Sequence, residues 1–416
     1  SYQEIYSKNR NSKFRSENEA IYELDKAIKN STIEQSVSDV PLGCFLSGGI
    51  DSSLIASTLQ NSSSKKINTF TIGFKNDKFD ESRFAKKVAN YLGTNHNEFI
   101  LEPQDALNII YDLPKIYSEP FADSSQIPTA LISRNIKNAG ITVALSGDGG
   151  DEVFGGYVRH YMVPNAWKKI KVLPFGLRKK IGEILLNTNY SILNKFVSYE
   201  NYNLEHKIFK LAKRLKVVRS QEELFKSLII DDFNKHLYSH NFLKLLNGFN
   251  TNKEADLFPD LENTKEGNIV EKMLIWDALG YLPDDILVKV DRASMFYSLE
   301  IRAPFLDHRI SEVASRIPND LKVKSNYGKY ILRKLLYKYI PKSLVDRPKA
   351  GFGVPIAEWL KGPLKEWAKD LINSEDGYIN QNYLQNIWIE HIEEKKDNST
   401  ILWRVLMWRF WLFSNV

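Results

Sequence analysis

A glycine- and hydroxyl-rich corner between two apolar segments constrains the fold of this chain more than any other feature. In PLGCFLSGGIDSSLIASTLQ, residues 41–60, a short apolar run stops at Ser47–Gly49, and a helical pattern of apolar residues begins after Asp51. A strand that turns sharply into a helix presents free N–H groups and the positive end of the helix dipole. The two glycines allow a phosphate to approach the backbone closely. The corner therefore predicts an anion site at the end of a strand.

The carboxylate inside this corner narrows the prediction. The loop has no lysine and does not match G-x-x-x-x-G-K-[ST], and it does not match G-x-G-x-x-G either. A carboxylate beside a phosphate is favourable only when a cation lies between them, and Mg²⁺ is typically held by one or two carboxylates together with phosphate oxygens. We therefore interpret Asp51 as a Mg²⁺ ligand. The alternative is an ordinary helix N-cap, a role that Asp and Ser both favour.

A second corner repeats the pattern. ITVALSGDGGDEVFGGY, residues 141–157, ends a strand at Ser146–Gly147 and then places Asp148, Asp151 and Glu152 among four glycines. Ligands of open parallel sheets bind beyond the carboxyl ends of the strands, near a topological switch point. We expect the two corners to face each other there, with Asp51 and Asp151 clamping a Mg²⁺ on a pyrophosphate. The alternative is a glycine-rich turn with solvated acids.

The alternation of elements predicts the fold class. Strand patterns GCFLS, INTFTIGF, HNEFIL and ITVALSG alternate with amphipathic helical patterns, which indicates an α/β fold with a doubly wound parallel sheet covered on both faces. After about Tyr157 helical patterns dominate. We divide the chain into a linker remnant, residues 1–17, an α/β core, residues 18–160, and a mainly helical lobe, residues 161–416, that completes the site.

Composition limits the class of protein. The chain has 416 residues, of which 43% are hydrophobic, so it can form a core larger than one domain usually holds. The single cysteine, Cys44, excludes an intramolecular disulfide and, with no signal-like N-terminus, favours the cytoplasm. No apolar run reaches the roughly 18 residues of a membrane helix. Arg404 and Arg409 interrupt the tail ILWRVLMWRFWLF, which we expect to pack into the core.

The excess positive charge of the chain is concentrated in one segment. Residues 165–220 contain 13 lysines and arginines and 3 glutamates, so they carry +10 while the chain as a whole carries +6. Such a segment attracts polyanions in principle. Its charges alternate with apolar residues at helical spacing, as in HKIFKLAKRLKVV, which favours helices with one buried and one solvated face. Nucleic-acid or polyphosphate contact stays as the alternative.

Six longer motifs resemble one family. FLSGGIDSSLIA, FTIGF, ALSGDGGDEVFGGY, LPDDILVKVDRASMFYSLEIRAPFLD, GKYILRK and RPKAGFGVPIAEWL occur in this order from about Ala20 to past Leu360. Together they closely resemble the synthetase domain of glutamine-dependent asparagine synthetases, within the ATP-pyrophosphatase (PP-loop) group. This resemblance implies a five-stranded parallel sheet of the adenine nucleotide α-hydrolase type.

The resemblance also implies roles for individual residues. It places nine of them around ATP: Leu46, Ser47, Gly48, Gly49, Asp51, Ser52, Ile72, Ser146 and Gly147. Asp51 and Asp151 match the Mg²⁺ carboxylates, and Lys329 in GKYILRK matches the lysine that stabilises the transition state of adenylation. Asp148 stands beside the acyl-adenylate, where the better-known enzymes have Glu, so we count it with Lys329 as catalytic.

A supporting set of residues follows from LPDDILVKVDRASM, residues 282–295. The pattern predicts a helix that begins at Pro283 and exposes a charged face. We expect Asp291 and Arg292 to pair and to brace the wall of the site, with Lys289 in a similar role.

The implied reaction is the adenylation of the aspartate side chain by ATP, followed by displacement of AMP by ammonia to give asparagine. No N-terminal cysteine nucleophile is present, so ammonia would be used directly or would come from a missing glutaminase domain or a separate glutaminase. The stretch SEPFADSSQIPTALIS differs from the corresponding region of the better-known enzymes. The substrate could therefore also be a sugar acid or another carboxylate used in surface-polysaccharide synthesis. A nucleic-acid-modifying protein is a further alternative. We expect neither a membrane nor a nucleic acid as a partner. Whether the chain forms a homodimer is left open.

Overall fold

A five-stranded parallel sheet lies at the centre of the computed structural model, which describes residues 2–9, 11–74, 80–188, 202–229, 235–248, 267–346 and 354–415. The strand order is β3–β2–β1–β4–β5. The strands are β1 Leu42–Phe45, β2 Asn68–Phe74, β3 Asn95–Leu101, β4 Val143–Leu145 and β5 Glu300–Arg302. Cys44 lies opposite both Thr69 of β2 and Leu145 of β4. The predicted doubly wound α/β fold is confirmed.

Helices connect the strands in the first half of the chain. They are α1 Tyr2–Asn9, α2 Glu17–Gln35, α3 Ile50–Ser62, α4 Ser82–Leu92, α5 Pro103–Ile110, α6 Leu113–Ile116, α7 Gln126–Asn138, α8 Gly150–Phe154, α9 Val158–Ile170 and α10 Phe175–Asn187. Local chemistry fixes several of their ends. The Ser16 side chain caps α2 by accepting a hydrogen bond from the Glu19 N–H, and Gly93 ends α4 in the left-handed conformation that glycine adopts most easily.

The second half is mostly helical, as expected. Its α-helices are α11 Tyr202–Val217, α12 Gln221–Ile229, α13 His240–Gly248, α14 Ile269–Trp276, α15 Val288–Phe296, α16 His308–Arg316, α17 Asn319–Lys322, α18 Tyr330–Leu336, α19 Lys342–Val345, α20 Ile356–Lys361, α21 Lys365–Asn373, α22 Gln381–Ile392 and α23 Ser399–Asn415. A π-helical segment, Asp277–Leu287, joins α14 to α15, and short 3₁₀ turns occupy Lys235–Leu237 and Pro304–Leu306.

Two apolar clusters cover the two faces of the sheet. On one face α2, α3, α16 and α18 pack on the strands, and on the other face α7 and α20–α23 do so. Neighbouring residues of β4 point into different clusters, Ala144 into the second and Leu145 into the first, and both are fully buried. Burial on both faces explains why these strands are continuous apolar runs without alternation.

The C-terminal tail packs into the protein as expected. Leu402, Trp403 and Leu406 of α23 are buried, and Arg409 is fully buried with its Nε 2.9 Å from Asp376 Oδ2. Among the described residues, no helix is both long and apolar enough to cross a membrane.

Two sequence expectations about local structure were wrong, and the position of the fifth strand was not predicted. Pro283 does not begin a helix, because it lies inside the π-helical segment that continues into α15. Strand β5 was missed, because its three residues lie within an otherwise helical half of the chain. Residues 2–9, expected to belong to a linker remnant, form α1, whose Tyr6 is buried and accepts a 2.8 Å hydrogen bond from Lys322 Nζ. The RPKAGFG stretch, residues 347–353, and residues 189–201 of the basic segment lie outside the described residues.

Candidate active site

The two glycine-rich corners meet at the switch point of the sheet. Strands β1 and β4 are neighbours, and the chain runs from each of them directly into a loop and then into α3 or α8. Both loops line one cavity of about 1620 Å³ at the carboxyl ends of the strands. The predicted convergence of the corners is therefore a feature of the structure, and a ligand in this cavity would contact both.

Internal hydrogen bonds shape the corner after β1. The Ser52 hydroxyl accepts a 3.1 Å hydrogen bond from the Ser47 N–H, and the Ser47 hydroxyl accepts one of 3.2 Å from the Gly49 N–H. Gly48 has a φ of +72°, and a Cβ there would lie 2.8 Å from the backbone of residues 84–85. Only glycine fits such a position without strain.

Glycines of the second corner allow it to touch the first. A Cβ on Gly147 would lie 2.9 Å from Asp51 Cβ and from the Ser52 nitrogen, and a Cβ on Gly150 would lie 2.5 Å from Asp51 Oδ1. Each of these distances is shorter than real Cβ contacts allow. The glycines that the sequence places between the acids are therefore needed to bring Asp51 close to Asp151.

Lys329 joins the two corners. It lies in the turn before α18, and its Nζ forms ion pairs with Asp51 Oδ2 and, at 2.5 Å, with Asp151 Oδ1. The side chain is only 5% exposed. Burial disfavours the charged ammonium, but the two carboxylates outweigh this effect and raise the pKa of Lys329 above its ordinary value. Lys329 is therefore a fixed cation at the meeting point of the corners.

The donor set at this point fits a magnesium ion that phosphates also bind. Among the described residues no group of three or more His, Cys, Asp or Glu side chains forms a complete metal site. Asp51 and Asp151 are close enough to share one cation, since the Lys329 ammonium contacts both. A pair of carboxylates with no third His, Cys, Asp or Glu ligand among the described residues matches Mg²⁺, which usually completes its octahedron with water and substrate phosphates.

A buried acid that the sequence did not assign to a role lies behind the carboxylate pair. Glu152 is 1% exposed and accepts a hydrogen bond from the Tyr157 hydroxyl. Burial raises the pKa of Glu152 to about 7, and the charge of Asp151 adds to this effect against the opposing hydrogen bond from Tyr157. The Arg159 guanidinium lies 4.0 Å from the centroid of the Tyr157 ring. These contacts fix the phenol beside the cavity.

A second charged group, centred on Lys289, also lines the cavity. Lys289 Nζ is 2.6 Å from Asp123 Oδ2, and despite burial this ion pair holds the pKa of Asp123 below its usual value. Burial and the charge of Asp123 raise the pKa of Asp285 to about 6, against the effects of Lys289 and Tyr281. The sequence did not single out Asp123 or Asp285. In the sequence, only the unusual stretch FADSSQ pointed to Asp123, and only the two adjacent acids after Pro283 pointed to Asp285.

Asp148 also lines the cavity. Burial raises the pKa of its carboxyl, the nearby Ser146 hydroxyl and the Lys289 ammonium oppose this effect, and the charges of Asp51 and Asp151 raise the pKa further. Charges of both groups therefore act on Asp148.

The structure brings most of the sequence-predicted site residues together. The following line the large cavity: Leu46, Ser47, Gly48, Gly49, Asp51, Ser52, Ile72, Ser146, Gly147, Asp148, Asp151, Lys289 and Lys329. Asp291 and Arg292 do not. Both are solvent-exposed, and among the described ion pairs none joins them, so the expected brace is not formed by this pair.

Comparison with known proteins agrees with the resemblance that the sequence motifs show. The family model for asparagine synthase matches residues 23–413. Over 406 residues the chain is 33% identical to asparagine synthetase [glutamine-hydrolyzing] 1 of Bacillus subtilis, an alignment that covers 96% of this chain and 60% of that protein. It is 29% identical over 393 residues to a putative asparagine synthetase [glutamine-hydrolyzing] of Mycobacterium tuberculosis, covering 94% of this chain and 57% of that protein.

A similar partial coverage is found in an archaeal relative. A putative asparagine synthetase [glutamine-hydrolyzing] 2 of Methanocaldococcus jannaschii is 33% identical over 271 residues, covering 64% of this chain and 47% of the relative. The chain thus spans no more than about 60% of the length of these relatives.

Proposed function

Because the chain belongs to the asparagine synthase family, we propose that it is the ATP-dependent, amide-forming part of an asparagine synthetase. The proposed substrates are ATP, ammonia and the side-chain carboxylate of aspartate, and the products are asparagine, AMP and pyrophosphate. The observation that supports this most directly is the meeting of Asp51, Asp151 and Lys329 at the carboxyl ends of β1 and β4. It places carboxylates for a metal and a fixed cation within one cavity.

The reaction requires activation because a carboxylate is a poor electrophile. The substrate carboxylate oxygen attacks the α-phosphorus of ATP, the bond to the β-phosphate oxygen breaks, and pyrophosphate leaves. Ammonia then adds to the acyl-adenylate carbonyl, the acyl–oxygen bond to AMP breaks, and a proton is lost from nitrogen. Reactions of this type depend mainly on positioning and on fixed charges that match the transition state.

The chain's own residues supply both requirements. Leu46 and Ile72 form an apolar wall suited to adenine, and the corner after β1 offers N–H and hydroxyl groups to phosphate oxygens. A Mg²⁺ bound by Asp51 and Asp151 would neutralise the charge of the leaving pyrophosphate. Lys329 then offsets the charge that develops on the α-phosphate.

Ammonia would come from a glutamine-hydrolysing part of a longer protein or from a separate glutaminase, as the names of the glutamine-hydrolysing relatives suggest. Cys44 is unsuited to that hydrolysis. It is fully buried in β1, and burial raises the pKa of its thiol to about 12, which removes the reactive thiolate at neutral pH.

The test is pyrophosphate release with ATP, Mg²⁺ and ammonium across a panel of carboxylates. We expect aspartate to support release and asparagine to form. Lys329→Ala should lower turnover by a hundredfold or more, since one preorganised donor contributes about 3 to 4 kcal/mol to transition-state stabilisation. The exposed Lys338, in the turn that follows α18, provides the control, and Lys338→Ala should keep wild-type turnover.

Other results would redirect the proposal. Release only with a uronic acid would point to a sugar-acid amidotransferase. Near-normal release by Lys329→Ala would contradict the role of this lysine. Binding of RNA with a steep salt dependence, and no release with any carboxylate, would favour a nucleic-acid function that uses the basic segment, residues 165–220.

A further inference from the structure

Helix α1 is fixed to the short helix α17, which leads into residues 323–329, here called the Lys329 segment. Tyr6 of α1 is 1% exposed, and its hydroxyl accepts a 2.8 Å hydrogen bond from Nζ of Lys322, the last residue of α17. Lys322 is fully buried, with its Nζ 4.8 Å from the centroid of the Tyr6 ring. Among the described residues no carboxylate forms an ion pair with Lys322, so the phenol is its hydrogen-bond partner.

The surroundings of Lys322 disfavour a charged amine. Burial and the nearby Lys13 ammonium lower the pKa of Lys322 well below its ordinary value, against the opposing charge of Glu271. Glu271 is itself 5% exposed, and its Oε2 lies 3.8 Å from Lys13 Nζ. A buried amine depends on each hydrogen bond that it makes, because the loss of an acceptor leaves a polar group unsatisfied. Tyr6 therefore determines where Lys322 can lie.

Helix α1 and the residues after it have further anchors on α16. Asn9 Nδ2 donates a 2.8 Å hydrogen bond to Ser315 Oγ, at the end of α1. Lys13 Nζ donates a 2.6 Å hydrogen bond to the Ser315 carbonyl. These contacts do not involve α17, so α1 has a position of its own from which Tyr6 holds Lys322.

The Lys329 segment is also held against the end of α8. A Cβ on Gly155 would lie 2.5 Å from Val323 Cγ2, so the segment packs closely on α8 at its start. In its middle, the backbones of Lys324 and Tyr327 exchange hydrogen bonds of 3.0 and 2.8 Å, which close a tight turn. At its end, the Lys329 N–H donates to the carbonyl of the last α8 residue at 3.2 Å. With contacts at its start, middle and end, the segment has little freedom to absorb a shift of α17.

We propose that Tyr6 is a positioning residue for Lys329 and acts through its hydrogen bond with Lys322. While the bond is formed, α17 stays in place and the Lys329 segment holds the ammonium between Asp51 and Asp151. When the bond is lost, α17 shifts to bring Lys322 closer to water, and the ammonium of Lys329 leaves the position that the reaction needs. This inference rests on the proposed role of Lys329 and extends it to Tyr6, which is not among the described residues that line the large cavity.

Steady-state kinetics of the full-length protein tests this contact as a double-mutant cycle. Tyr6→Phe and Lys322→Met each remove the hydrogen bond while keeping most of the side-chain shape. Each should lower kcat for aspartate-dependent pyrophosphate release about tenfold and leave the KM for ATP within about twofold, since a small displacement of a catalytic group is costly. The double variant should also lose only about tenfold, because both changes remove one and the same contact.

Tyr22→Phe is the matched control, since Tyr22 on α2 is 65% exposed, and it should keep the wild-type kcat. Melting temperatures separate positioning from stability. A wild-type kcat in both single variants, measured where circular dichroism shows them folded, would overturn the inference even if they melt earlier. A loss of about a hundredfold in the double variant, as two independent effects would give, would overturn it as well.

Hydrogen exchange separates this inference from the proposed reaction. Mass spectrometry should show faster exchange of residues 323–336 in Tyr6→Phe and unchanged exchange of α22, which packs on the other face of the sheet. If exchange changes in this way while no carboxylate supports release by the wild type, the proposed reaction is wrong and the coupling of α1 to the Lys329 segment stands. If aspartate supports release but Tyr6→Phe keeps wild-type exchange and kcat, the inference is wrong and the reaction stands.

Discussion

Some single residues of this site carry buried charges that would be unfavourable without a partner of opposite charge. Lys329 adopts a left-handed backbone conformation, φ +57°, which is unusual for a residue with a side chain. The conformation persists because its N–H donates to the Phe154 carbonyl at 3.2 Å and its ammonium binds two carboxylates. Strain that surrounding contacts maintain in this way is typical of functional positions.

Glu152 gives a pH-dependent prediction at the same scale. Its pKa is about 7 in the folded protein and 4.5 in its ordinary state, so between these values the folded form keeps a proton that the unfolded form has lost. The unfolding free energy therefore falls as pH rises through this window. Glu152→Gln removes the titration and keeps an acceptor for the Tyr157 hydroxyl. Its stability relative to wild type should increase by up to roughly 3 kcal/mol from pH 4.5 to pH 7.

Chemical unfolding of both proteins across this range measures the difference directly. Taking the difference between mutant and wild type cancels the other titrating groups. A difference that stays constant, or that decreases with pH, would show that Glu152 is not held protonated by its buried position.

At the scale of elements, the glycine corners depend on close backbone contacts. A Cβ on Gly328 would collide with the Gly155 carbonyl oxygen, and the next residue, Lys329, donates its N–H to the Phe154 carbonyl beside Gly155. Gly328→Ala should therefore lower kcat at least tenfold, because small displacements of catalytic groups are costly, while most of the fold is retained. Steady-state kinetics with circular dichroism tests this.

Gly176 of α10 offers a matched control. A Cβ there meets nothing within 4 Å, so Gly176→Ala should keep wild-type kcat and stabilise the helix by about 0.5 to 1 kcal/mol. Equal effects of the two substitutions on kcat would contradict a specific role for the contact between Gly328 and Gly155.

The elements also show how far sequence reasoning reaches. Strands β1–β4 and both corners were predictable, because apolar runs that stop at glycine and hydroxyl residues have a local cause. Strand β5 was not, since three residues between helices carry no periodicity and pair with β4 only through the tertiary fold. The π-helical path around Pro283 was also hidden, because the sequence pattern there fits an ordinary helix start equally well.

Only part of the site was predictable from the sequence. The convergence of Asp51 and Asp151 follows from the rule for parallel sheets, but the position of Lys329 came only from a family resemblance. No local pattern places a residue 278 positions away beside Asp51. Asp123, Lys289 and Asp285 come together from different elements, so their relation becomes visible only in three dimensions.

At the scale of the whole molecule, distant parts of the chain build the cavity. Three of them are the corner after β1, the corner after β4 and a set of residues between Tyr281 and Lys329. A ligand that contacts all three must link the sheet to the helical half. Binding of this kind stabilises the folded state in proportion to the logarithm of ligand concentration.

Nucleotide binding should therefore raise the melting temperature, and magnesium should control the size of the effect. At a hundred times its dissociation constant, Mg²⁺–ATP contributes about 2.7 kcal/mol. ATP with a chelator should contribute less, because Asp51 and Asp151 then repel the triphosphate. Asp51→Asn should shrink the difference between the two conditions. Thermal unfolding with ATP, with and without Mg²⁺, measures this, and an equal shift in both conditions for the wild type would mean that the carboxylate pair does not meet the nucleotide through a metal.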